Sequence, residues 1–76
     1  MTPSDLENFF IYHPPIGNQL PRYQSIRDAG HKLAMEIYQH TPSGADQTAA
    51  IRKVREAVMT ANAAIACGER QNELPR

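Results

Sequence analysis

Apolar residues recur along this chain at intervals of three and four, and they do so twice. The first run is Tyr23, Ile26, Gly30, Leu33 and Ile37; the second is Ile51, Val54, Val58, Ala61 and Ile65. That interval is the period of one helix face, so the pattern predicts two helices, each with one buried stripe. The first is bounded by Asn18, a helix-capping residue type, tolerates Pro21 in its first turn, and fades at His40 before Thr41-Pro42-Ser43-Gly44. Ser43 or a near neighbour caps the second, Asp46 sits in its first turn, and Gly68 stops it. The predicted spans are about 18–40 and about 44–67, each about 33 Å long by helix rise. Joined by a short Pro/Gly link, they predict an antiparallel helical hairpin with shallow, coiled-coil-like crossing.

A shorter element precedes the hairpin. Thr2 suits an N-cap, Pro3 the first helical position, and Asp5 lies three residues beyond the cap. A helix over about 3–12 follows, ending before Pro14-Pro15 because a residue ahead of proline is driven out of helical geometry. Pro14 to Asn18 reads as a stiff turn, and the polar tail 69–76 as frayed. The fold class is all-α, one helical-hairpin domain over 1–76.

Two stripes make a thin core. A chain of 76 residues buries only roughly 60% of the surface its unfolded form exposes. Small proteins compensate with disulfides, metals or partner subunits. Cys67 is the only cysteine, so no disulfide forms within one chain and no metal-binding cysteine set exists. Apolar residues also spill beyond the second stripe: Ala57, Val58, Met59, Ala61, Ala63, Ala64, Ile65 and Ala66 nearly encircle the axis. A helix apolar most of the way round is covered on more than one side, although alanine also favours helix for purely local reasons. Phe9, Phe10, Ile11, Leu20, Met35 and Tyr38 add to the surface needing cover. The expected assembly is a homo-oligomer.

Eight basic residues balance eight acidic ones. Without a basic stripe DNA is not an expected partner, whereas a small anion needs only a few well-placed cations. A single free thiol and no leader-like start predict a reducing cytoplasm, and no apolar run is long enough to predict a membrane span. Chemistry is sparse. His13, His31 and His40 form no ligand pair, and Cys67 has no histidine near it in sequence. Ser4, Ser25 and Ser43 lack a nucleophile-elbow context, and the glycines are isolated. No enzyme, catalytic residue, metal site or cofactor is expected. Arg52, Lys53 and Arg55 read as a solvated helix face. Arg27 borders the apolar stripe, where a partly desolvated guanidinium makes a bidentate phosphate receptor.

Three stretches in order carry a resemblance. They are Phe10-Ile11-Tyr12-His13-Pro14-Pro15, then Gln19 with Arg22-Tyr23-Gln24-Ser25-Ile26-Arg27-Asp28-Ala29, then Ala45-Asp46-Gln47-Thr48 with Arg52 to Ala66. Together they resemble the phage anti-CBASS cyclic-oligonucleotide sponges, small helical-hairpin proteins that sequester cyclic nucleotides, over roughly 8–67. The resemblance implies a homohexamer built as a trimer of dimers. It implies cyclic dinucleotides held between two protomers, cyclic trinucleotides in a separate pocket, no cleavage, and an effector kept inactive in the cytoplasm of the infected bacterium. Residue by residue, it implies that Tyr12 stacks on a base, that Arg27 is the cation facing phosphate, and that His13 and Pro14 wall the pocket. Arg22 is a secondary candidate, and Arg70, just after the last helix, a candidate for the second pocket. Ala29 stands where some relatives carry a hydroxyl, which removes one ligand contact.

The implied ligand fits elementary symmetry. A cyclic dinucleotide has two bases and two phosphates about a near two-fold axis, and a symmetric dimer presents one aromatic and one arginine twice. The periodicity alone fits a second class equally well, an oligomerisation or adaptor module whose apolar faces bind another protein. A helix-turn-helix regulator fits less well, given the neutral charge and the long link between helices.

Overall fold

A computed structural model of the protein describes residues 1–68. Helix α1 spans Pro3–Phe10, α2 spans Gln19–His40 and α3 spans Ala45–Ala63, running on into a wider π turn over Ala64–Gly68. Among the described residues the fold is all-helical, and the hairpin is present. Tyr23 shares a groove with Asn62 and Ala66, Gly30 meets Val58, and Gln47 reaches Tyr38. The partners run backwards as the first member advances, so α2 and α3 are antiparallel.

The first helix starts as its sequence dictates. Thr2 Oγ1 accepts from Asp5 N at 3.2 Å and Asp5 Oδ2 accepts from Thr2 N at 2.9 Å, a reciprocal capping box. The helix closes two residues earlier than the predicted 12, because Ile11 is already extended with its N–H bonded to Glu7 O.

The other two caps fall where expected but lack side-chain bonds. Asn18 occupies the N-cap of α2 but its side chain makes no cap bond. Gln19 takes over: its Oε1 accepts from Ile16 N at 3.0 Å while its own N–H returns to Ile16 O, after a turn that Gly17 makes at φ 54°. At α3 the cap residue is Gly44, the neighbour of Ser43, again without a side-chain bond. The hairpin bend is held from the far side. Gln47 Nε2 donates to Tyr38 O and Thr41 O, at 3.2 and 3.1 Å, satisfying carbonyls that the end of α2 leaves open.

Packing between α2 and α3 follows the stripes with one correction. Tyr23, Ile26, Gly30 and Ile37 are half-buried, as are Ile51, Val54, Val58, Ala61 and Ile65. Leu33 is not on the inner line: it is 51% exposed and Ala34 takes the inward place. A true helix drifts against a strict seven-residue repeat, so the face that started at Tyr23 has moved by one position there. Gly30 marks the closest approach, where a Cβ would run into Val58 Cγ2.

No apolar side chain among the described residues is buried; only Asn8 and Gln19 are. Leu20, Leu33, Tyr38 and Met59 stay half or more exposed. The hairpin is therefore two half-covered stripes with open shoulders. One shoulder forms an apolar groove of about 460 Å³ between Ile26, Leu33, Val54, Ala57 and Ala61. The other, of about 250 Å³, lies between Ala34, Ile51 and Met59 and is flanked by Arg27, His31 and Arg55.

Candidate functional site

Arg27 is a cation of the hairpin held by a neighbouring side chain. It stands on the exposed side of α2, and its Nη1 donates to Gln24 Oε1 at 3.3 Å. Gln24 is itself fixed, since its Nε2 donates to Asp28 Oδ1 at 2.8 Å. The chain Asp28–Gln24–Arg27 holds the guanidinium along the helix and leaves most of its N–H groups facing outward. Arg27 then walls a groove of about 320 Å³ across the open end of the hairpin, with Tyr23, Asn62, Ala63 and Ala66. Asn62 Oδ1 is shielded there and has no hydrogen-bond partner among the described residues. A planar cation, a phenol ring and an unused amide oxygen around one depression suit an anionic ligand that also carries hydrogen-bond donors.

The aromatic–His–Pro segment lies between α1 and α2. Tyr12 is 80% exposed and Pro14 is exposed as well. His13 is a different case from the pocket wall that the resemblance implies. Its ring is half-buried and turned inward, with Nε2 at 2.5 Å from the carbonyl oxygen of Asn8. A carbonyl only accepts, so Nε2 carries the proton, and Nδ1 is shielded without a partner among the described residues. Tyr12 and His13, adjacent in sequence, thus do opposite things.

The inward contact continues. Asn8 Nδ2 donates to Cys67 O at 3.2 Å, and Cys67 Sγ lies 3.9 Å from Asn8 O. Cys67 is a half-buried free thiol. Arg22 is half-buried in the first turns of α2. Arg70 lies outside the described residues. Tyr12 is not a wall of the groove that holds Arg27, so one chain presents these two groups separately. No group of three His, Cys, Asp or Glu side chains among the described residues is placed to hold a metal ion, and no helix among them is long and apolar enough to cross a membrane.

The hairpin with a preceding short helix also has a match among known families. The model of the Acb2/Tad1 hairpin domain matches residues 2–66, which takes in the capping box, Tyr12, Arg27, Asn62 and both stripes. The chain belongs to this family. It is the family of anti-CBASS cyclic-oligonucleotide sponges. No curated relative and no solved structure matches.

Sequence reasoning singled out Arg27 from its place beside the stripe, and Tyr12 through the resemblance. It missed Asn62, whose place beside Arg27 depends on the register between α2 and α3. It missed Asn8 and Gln19 as well, because a polar side chain in an amphipathic pattern is assigned to solvent. The short reach of Asn8 to a carbonyl 59 positions away leaves no periodic trace.

Proposed function

We propose that this protein binds cyclic di- and trinucleotide second messengers and holds them without cleavage, so that a CBASS effector in the infected bacterial cytoplasm is starved of its activator. What carries the proposal is the family match over residues 2–66. The geometry supports it in two ways. Arg27 is braced at the edge of a groove, and Tyr12 offers an open ring for stacking. No DNA and no membrane is involved, and the protein performs no turnover.

The ligand site is completed by a second copy. Exposed apolar shoulders on both sides of α2 and α3 are covered by further protomers, in a homohexamer built as a trimer of dimers. A two-fold seam brings the Tyr12 of one protomer and the Arg27 of another to one ligand, twice. Stacking contributes about 1–3 kcal/mol per base and a charge-assisted phosphate contact about 1.5–3 kcal/mol. Two of each reach the range of sub-micromolar binding, at about 8 kcal/mol and beyond. Tyr12, Arg27 and Pro14 contact the cyclic dinucleotide; Arg22 is a secondary contact, and Arg70 belongs to the trinucleotide pocket.

Titration calorimetry with a panel of cyclic di- and trinucleotides tests the proposal. Tight binding by the wild type, weakened by Tyr12→Ala and by Arg27→Ala at unchanged helicity, is the expected result. Unaltered affinity in both variants removes the pocket assignment. The same exposed apolar side chains also suit an adaptor that binds another protein, and a wild type that ignores the whole panel supports that reading instead.

A further inference from the structure

The stretch that carries Tyr12 is short, rich in proline, and lies outside any helix. Such a stretch presents a ring in one place only if its ends are fixed. Three bonds fix them. Ile11 N donates to Glu7 O at 3.1 Å, on the N-terminal side of Tyr12. His13 Nε2 binds Asn8 O on its C-terminal side. Asn8, 7% exposed and with Gln19 one of the two buried residues among those described, ties this whole turn to α3 by donating its side-chain amide to Cys67 O. That carbonyl lies in the π turn at the end of α3, where a helix has no N–H of its own left to give. Asn8 thus caps α3 from the other end of the chain, and the same residue, through its own carbonyl, orients His13. Tyr12 sits between the two anchors and points to solvent.

We infer that Asn8 and His13 are positioning residues for ligand capture: the clasp Cys67–Asn8–His13 holds the Tyr12 ring ready for a base, so that binding need not order it. The inference rests on the stacking role proposed above for Tyr12. Order established before binding lowers the entropy lost on binding. Neither residue touches the nucleotide. The His13 ring faces the protein, and Asn8 is covered.

A double-mutant cycle separates positioning from mere stability. The probes are cyclic di-AMP and cyclic di-GMP, measured by calorimetry on the full chain, with circular dichroism reporting helicity. Asn8→Ala and His13→Ala each weaken binding about three- to tenfold. His13→Gln, whose amide N–H takes the place of Nε2–H, binds as the wild type does. In a Tyr12→Ala background the Asn8 and His13 substitutions cause no further loss, because there is no ring left to hold. Should Asn8→Ala fail to fold, the comparison of His13→Ala with His13→Gln, with and without Tyr12, decides the matter alone.

If Tyr12→Ala weakens binding while Asn8→Ala and His13→Ala leave it unchanged, the positioning role is overturned and the stacking role stands. If the Asn8 and His13 substitutions cost as much without Tyr12 as with it, their part is structural and the inference again fails. If Tyr12→Ala itself has no effect, the stacking role fails and takes the inference with it.

Discussion

Gly30 of α2 lies directly against Val58 of α3, so close that a Cβ at position 30 would overlap the Val58 Cγ2 methyl. A glycine in mid-helix costs about 1 kcal/mol relative to alanine, and here its lack of a side chain is what lets the two backbones approach. Gly30→Ala therefore gains helix propensity but loses more to overpacking, which costs about 1–3 kcal/mol in a tight contact. Thermal unfolding should show a lower midpoint for Gly30→Ala. Adding Val58→Ala removes the clashing methyl and should restore part of the difference. A midpoint raised by Gly30→Ala alone would contradict the close approach.

Acid should loosen the start of α1. The Asp5 carboxyl is held below its ordinary value of 3.8, mainly by the bond from the Thr2 backbone N–H and secondarily by the Thr2 side chain. A lowered folded-state value means that the ionised form is favoured by folding. The contribution is complete above the unfolded value and is lost as pH falls through the folded one. Carbon-detected NMR titration should place the Asp5 midpoint below 3.8 and show a smaller shift in Thr2→Ala, which keeps the backbone N–H but loses the hydroxyl. A midpoint at or above the ordinary value would contradict the capping box.

The braced guanidinium gives a third expectation. Arg27→Ala removes both charge-assisted contacts to a ligand, each about 1.5–3 kcal/mol, which lowers affinity for a cyclic dinucleotide about a hundredfold or more. Arg27→Lys keeps the charge but loses the planar fork, and should fall between the two. Gln24→Ala frees the brace seen at 3.3 Å and should cost less than Arg27→Lys. Calorimetry of this series orders the variants, and a lysine variant weaker than the alanine one would contradict a phosphate-facing role.

Much of the architecture is written locally. The Thr2/Asp5 capping box and the five-residue stripe from Ile51 to Ile65 are short-range patterns, and the structure follows both. Asn18 and Gly44, the neighbour of Ser43, hold the cap positions without a side-chain bond, because residue type permits a cap bond but does not require it; Gln19 ties the turn before α2 and Gln47 the bend after it. A strict three–four spacing puts Leu33 on the inner line, while the drift of a helix puts Ala34 there instead. The site is less legible. Arg27 stands out by its place beside the stripe and Tyr12 only through the resemblance, whereas Asn62, Asn8 and the inward turn of His13 depend on which turn of one helix faces which turn of another. No spacing along a single chain records that.

Self-association has its own test. Ala57 is exposed in the isolated hairpin and lines its larger apolar groove. Sedimentation at micromolar concentration should show the wild type as more than one chain. Ala57→Glu, which places a charge where a protomer is expected to pack, should sediment as a smaller species with its helicity retained. A wild type that is a folded monomer would remove the shared-pocket arrangement.

The most direct measurement of the sponge role is recovery of the bound molecule. The protein is incubated with a cyclic dinucleotide, separated from free ligand, denatured, and the released nucleotide identified by chromatography. Near-stoichiometric release of the intact cyclic species is the predicted result. Linear or mononucleotide products, or no retained nucleotide at all, would contradict it.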